Sequence, residues 1–167
     1  MNPRVPVFLC GEASRGDDGA ALRAIRLVAP DVRRHARVVP ARELDAAMLR
    51  DLPADTPCVI VDAVPGIPAG EIVTKPLQGM SRRGRRPAGR ARWGKRRSAQ
   101  EPPLEQTLAS AAELRGEPID GWFLGIGVTD CEPGETLSPA VAVALPTLAA
   151  KLAALIEALA HPDDESD

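Results

Sequence analysis

Cys58–Val64 (CVIVDAV) constrains the fold more than any other stretch, being seven residues that are apolar on both alternating faces but for one acid. A strand able to bury both faces belongs inside a parallel sheet covered by helices, because a strand with one wet face would alternate polar and apolar residues. The chain around it alternates in the same sense. Apolar runs and helical periodicity predict strand Val5–Leu9, helix Ala20–Ala29, strand Ala36–Val39 and helix Arg42–Leu52 ahead of strand Cys58–Val64. Pro68-Ala69-Gly70 then turns the chain into a short strand, Glu71–Thr74, that extends the sheet edge.

Further along, Leu104, Leu108, Ala111, Ala112 and Leu114 fit a helix over Leu104–Leu114, and Trp122–Ile126 reads as another buried strand. Ser138-Pro139 places a cap residue and a first-turn proline at the head of a last helix. There Val141, Leu145, Leu148, Leu152, Leu155, Ile156 and Leu159 recur every three or four residues as one stripe facing the sheet. Pro146 is predicted to kink this helix or to mark its true start. The expected fold class is α/β, a three-layer sandwich with a mostly parallel twisted sheet and helices on both faces.

The acid that interrupts the central strand, Asp62, falls at its carboxyl end. Ligands of open α/β sheets collect in the crevice beyond the carboxyl ends of the strands. A second acidic signal lies where the first strand hands over to a helix, in Gly16-Asp17-Asp18-Gly19. Taken alone, Asp18 there is a helix cap and Gly19 a turn residue. Taken with Asp62 on the same rim, one acid of the pair is stabilised by the helix N-terminus while the other faces outward, and two converging carboxylates suit a divalent metal.

Length and composition narrow the function classes. A chain of 167 residues is long enough to bury roughly 70% of its unfolded surface in one core. The expected organisation is one domain over 1–160, with a basic insert over 81–100 and an acidic tail over 161–167. Phe8, Trp93, Trp122 and Phe123 are the only aromatic residues, so platforms for stacking single-stranded nucleic acid are missing. Gly11-Glu12-Ala13-Ser14-Arg15-Gly16 is not G-x-G-x-x-G, and Glu12 opposes a pyrophosphate. Cys10, Cys58 and Cys131 form no C-x-x-C, two of them lie in apolar runs, and the reading is a reducing, cytoplasmic setting. The first apolar run is too short for a signal peptide or a span, no other segment is expected to cross a membrane, and a monomer is expected.

Charge is distributed unevenly. Ser81–Gln100 holds nine of the 21 basic residues and none of the 23 acids, which leaves the rest of the chain at −11. Three readings of this stretch stay open: a solvated loop that cannot pack a core, a surface for an acidic partner or polyanion, and a local shift of reading frame in GC-rich DNA.

Several segments together resemble the hydrogenase maturation endopeptidases, which trim the C-terminus of the large subunit of nickel-iron hydrogenases after nickel insertion. Arg15-Gly16-Asp17-Asp18-Gly19 resembles the first acidic motif of that family. Val61-Asp62-Ala63-Val64 with Gly70-Glu71-Ile72 resembles the second, and Gly125-Ile126 followed by Gly134–Val141 (GETLSPAV) resembles the C-terminal signature. The motifs occur in the right order across nearly the whole chain.

The resemblance implies a phosphorylase/hydrolase-like sandwich and a hydrogenase large-subunit precursor as partner. It implies Asp18 and Asp62 as catalytic, metal-gripping carboxylates, and the nickel of the substrate, or zinc as a surrogate, as the metal, with no organic cofactor. Membrane and nucleic-acid partners are not implied.

Two departures accompany the match. Glu12 stands where the family usually has Asn, and Gln100, in Ser98-Ala99-Gln100, stands at the position of the family's metal-binding histidine, counted back from Leu104 and Leu108. An amide oxygen is a weaker ligand than an imidazole for nickel or zinc, so a site of Asp18, Asp62 and Gln100 is expected to hold metal less tightly. The two histidines of the chain, His35 and His161, read as solvated surface residues. The alternative to a peptidase is a catalytically impaired relative that binds a hydrogenase subunit as an assembly factor. A third reading, a polyanion-binding protein, rests on the basic stretch alone.

Overall fold

The computed structural model describes residues 3–81, 104–129 and 131–162. Most of the basic stretch, Gln100 within it, and the acidic residues 163–167 lie outside the described residues. In chain order the elements are β1 (Val5–Cys10), a 3-10 turn (Gly16–Gly19), α1 (Ala20–Leu27), α2 (Pro30–Arg33), β2 (Ala36–Ala41), α3 (Ala46–Arg50), β3 (Cys58–Val64), β4 (Ile72–Pro76), α4 (Leu77–Ser81), α5 (Leu104–Arg115), β5 (Gly121–Gly127) and α6 (Pro139–Ala160).

The strands form one sheet in the order β2-β1-β3-β5-β4. Pairing is parallel throughout except for β4, which runs antiparallel to β5 at the edge. Period-two alternation divides the strand residues between two cores. Val5, Val7, Leu9, Val59, Val61, Leu124 and Ile126 pack with α1 and α6 on one face. Phe8, Cys10, Cys58, Ile60, Val64 and Phe123 pack with α3, α4 and α5 on the other. The expected three-layer α/β sandwich is the observed one, and β3 lies between β1 and β5 as its two-sided burial requires.

Several boundaries differ from expectation for local reasons. The helix expected over Ala20–Ala29 stops at Leu27, because Pro30 occupies the first turn of a separate helix, α2. The helix expected over Arg42–Leu52 shortens to Ala46–Arg50: Asp45 is its cap, accepting the Met48 amide at 2.9 Å. The edge strand runs Ile72–Pro76 rather than Glu71–Thr74, its terminal proline being tolerated at the edge. Helix α6 starts at Pro139 and continues through Pro146, so that proline does not mark its start. Val141, Leu148, Leu152 and Ile156 of its stripe are fully buried. By length and composition α6 could cross a membrane, contrary to the expectation that no later segment resembles a span. An Ala, Val and Leu-rich helix that covers a sheet meets the same compositional test, and its stripe here is part of the core.

Arg115, at the end of α5, ties one helical layer together. Its guanidinium donates to the carbonyls of Leu49 and Arg50 at 3.3 Å, to Leu52, and to Pro53 at 3.3 Å, and it also pairs with Glu117. Carbonyls left over at the end of α3 thus find a cationic donor. Its side chain is only 8% exposed. Arg115→Met is expected to lower the unfolding free energy by about 3 kcal/mol. Arg115→Lys should recover little of this, since one ammonium cannot reach several diverging carbonyls. Urea unfolding checks both, and an unchanged midpoint for Arg115→Met would contradict the assignment.

Candidate functional site

Chain direction in the sheet reverses between β1 and β3: from β1 the chain moves outward to β2, then crosses back to β3 and on toward β5. The first helix after β1, α1, packs on one face and the helices after β3 and β4, α4 and α5, on the other; ligands of open α/β sheets collect beyond the carboxyl edge at such a switch point. β1 and β3 pair with Leu9 opposite Val61, which puts Cys10 and Asp62 level at that edge. The Gly16–Gly19 turn follows β1 and packs against β3. Asp18 and Asp62 therefore share one rim of the sheet, while the position of Gln100 lies outside the described residues.

The loop from β1 to the turn folds tightly back on itself. Gly11 has φ +124°, and a Cβ there would lie 2.0 Å from the Asp18 carbonyl oxygen, so only glycine fits. The following amide, that of Glu12, donates to Asp18 Oδ2 at 2.9 Å. The Glu12 carboxylate turns away and meets Arg42 Nε at 3.3 Å, just beyond the end of β2.

The cap reading of Asp18 is not what forms. Residue Gly19 occupies the cap position of α1, without a side-chain hydrogen bond, and Asp18 instead holds the loop before it. The expected outward-facing acid is also corrected, since Asp17 is 0% and Asp18 4% exposed.

Asp17 points to a different part of the chain. Its Oδ1 accepts the Ser138 amide at 2.7 Å, and its Oδ2 accepts the Ser138 hydroxyl at 2.7 Å and the Thr129 amide at 3.1 Å. Ser138 therefore makes no side-chain cap for α6, contrary to its expected role, because its hydroxyl is spent on this carboxylate. Backbone bonds run alongside: Gly134 donates to the Ser14 carbonyl at 2.8 Å and Gly16 to the Gly134 carbonyl at 2.6 Å. Sequence reading singled out the acidic pair and the Ser138-Pro139 helix start but not their union. With Asp17 and Ser138 121 positions apart, no local pattern links them.

Asp62 is half-buried, and its Oδ1 accepts the Ala63 amide at 2.7 Å. Along β3 it shares a face with Cys58, Ile60 and Val64, the side on which α5 packs. Its partner across β5 is Gly125, where a Cβ would press on Val64, Phe123 and Val73 within 3 Å. Among the described residues no group of three His, Cys, Asp or Glu side chains is arranged to hold a metal ion. The histidines sit at the opposite, amino edge of the sheet. His35 precedes β2 and its carbonyl accepts the Val5 amide, while its ring meets His161 edge-on with centroids 5.1 Å apart. As expected neither approaches the carboxylates, although His35 is half-buried rather than solvated.

Cysteine chemistry finds no support at Cys58. Burial, then the Asp120 charge, pushes Cys58 from 9.0 up to about 12, against a smaller lowering by Arg115.

No protein-family model matches the chain, and no curated protein matches it either. Solved structures do. The chain is similar to the hydrogenase maturating endopeptidase HybD from E. coli, with TM-score 0.66 and 17% identity, covering 93% of each chain. It is similar also to the endopeptidase HycI from Escherichia coli, with TM-score 0.61 and 22% identity over 90% of each chain. The [NiFe] hydrogenase maturation protease HybD from Thermococcus kodakarensis gives TM-score 0.59 and 18% identity over 92% of this chain and 99% of that one. The chain has the fold of these hydrogenase maturation proteases.

Three outcomes follow from the geometry of the loop and of the cysteines. Gly11→Ala, strained by both φ and contact, is expected to cost about 2–3 kcal/mol in thermal or urea unfolding; a neutral substitution would show that the loop can relax. Because the folded pKa of Cys58 is raised, its protonated thiol contributes stability fully below pH 9 and loses it as pH rises through about 12. Iodoacetamide at pH 8 should label half-buried Cys131 in the native protein and Cys58 only after unfolding, read by peptide mass spectrometry.

Proposed function

We propose that this chain is a hydrogenase maturation endopeptidase that removes the C-terminal extension of a nickel-iron hydrogenase large-subunit precursor. The observation that carries the reading is the pairing of a shared fold with two acids, Asp18 and Asp62, at the carboxyl rim where the sheet reverses. In this reading the nickel belongs to the substrate. Asp18 and Asp62 supply hard oxygen ligands to it and leave coordination positions for substrate groups or water, with zinc able to stand in for nickel. The bound metal identifies a precursor that has received its nickel and places the scissile carbonyl, which the metal polarises, or a water that it activates, against the rim. Asp18 is held for this by the Glu12 amide, and Asp62 by its place at the end of β3. The partner is the precursor, met by a monomer in the cytoplasm.

A second reading is favoured by one observation: no third ligand of the usual kind joins the two acids among the described residues, and Gln100 stands where a histidine is expected. In that reading the chain binds a hydrogenase subunit as an assembly factor without cutting it. An amide at position 100 weakens the grip on nickel without removing the two carboxylates.

Mass spectrometry of a nickel-loaded precursor from the same source separates the two. Loss of a C-terminal peptide with the natural protein, but not with Asp62→Ala, is the outcome expected of the peptidase. Binding without cleavage, with cleavage gained in Gln100→His, supports the assembly factor. Neither binding nor cleavage would reject both readings.

A further inference from the structure

We propose that Asp17 is a positioning residue that sets Asp18 in place by clamping their shared turn to the head of α6. Where metal affinity enters, the proposal rests on the function proposed above; its geometric part does not.

Consecutive residues of a 3-10 turn point about 120° apart, so the two side chains diverge. Asp18 goes back to the Glu12 amide and Asp17 goes across to Ser138 and Thr129. Both oxygens of Asp17 are engaged, and the group is fully buried. A buried carboxylate is costly unless donors replace its water, and two amides and a hydroxyl do so here. Those donors come from the segment that closes β5 and opens α6, so the turn carrying Asp18 is fastened to a helix packed in the core.

The parallel bridge of Arg15 with Gly134 runs in the same place, and Arg23 donates to the Glu135 carbonyl and Arg15 Nε to the Cys131 carbonyl at 3.4 Å. With the turn fixed on one side by Asp17 and on the other by the glycine-only approach of Gly11, the Asp18 carboxylate has one placement. An amide in place of Asp17 cannot serve: its NH₂ would face at least one of the Ser138 and Thr129 donors. An acid is therefore required at 17, although its own oxygens are taken up by Ser138 and Thr129.

Four variants, Asp17→Asn, Ser138→Ala, Ser138→Thr and Asp18→Asn, are compared with the natural protein by amide hydrogen exchange and by Ni²⁺ titration calorimetry. Asp17→Asn is expected to speed exchange of the Glu12 amide while the amides of β1 and β5 keep their protection, and to weaken Ni²⁺ binding by about tenfold or more. Ser138→Ala should move both readouts in the same direction, and Ser138→Thr, which keeps the hydroxyl, should restore them. Should Asp17→Asn fail to fold, the Ser138 pair carries the test. An unchanged Glu12 amide, or equal acceleration across the whole sheet, overturns the proposal, the latter because it would reveal a general stabiliser. If the natural protein binds no Ni²⁺ and Asp18→Asn changes nothing, the metal reading fails while the Glu12 amide still decides the positioning.

Discussion

Parallel pairing of β1 with β3 is the contact on which the rest of the molecule depends. Parallel neighbours need long crossovers, and here the outward path to β2 and the return to β3 bury both central strands. That burial explains the two aliphatic cores, one under α1 and α6 and the other under α3, α4 and α5. The same reversal marks the carboxyl edge at which ligands of open α/β sheets collect. The residues that end β3 and follow β1 at that edge are Asp62 and the Asp17-Asp18 turn.

Three acids near one rim repel one another unless each is given its own donors. The fold separates them by direction: Asp17 is absorbed by Ser138 and Thr129, Asp18 by the Glu12 amide, and Asp62 accepts from Ala63. Glu12, a fourth, is drawn aside to Arg42. Neutral amides and one hydroxyl hydrogen-bond these carboxylates and stabilise their charge. The glycines permit this crowding, since Gly11 lets the Asp18 carbonyl approach where any side chain would collide.

Much of this arrangement was legible in the residues. The two-sided apolar run at Cys58–Val64 specified an interior parallel strand to the residue, and the stripe on α6 specified its buried face. The acid at the end of β3 and the acids after β1 were recognisable as rim residues because strand polarity alone places them. What escaped was non-local. Ser138 reads as a helix cap by its neighbours, yet its hydroxyl belongs to a carboxylate from the far end of the chain. Arg115, one residue past the helix expected over Leu104–Leu114, holds carbonyls at the end of another helix, and no local pattern signals that contact. Pro146 signals a helix break, but the packing of Leu148, Leu152 and Ile156 against the sheet outweighs one missing backbone bond. Short α4 carried no periodic signal, being one turn that continues directly from β4.

The proposed function turns on a metal gripped jointly by Asp18 and Asp62. A crystal of the protein soaked with Ni²⁺ or Zn²⁺, with anomalous difference maps at the metal edge, tests this directly. A peak is expected at the carboxyl edge between β1 and β3, about 2.0–2.2 Å from a carboxylate oxygen of each residue. A metal found only elsewhere, at His35 and His161 on the opposite edge for example, would contradict it.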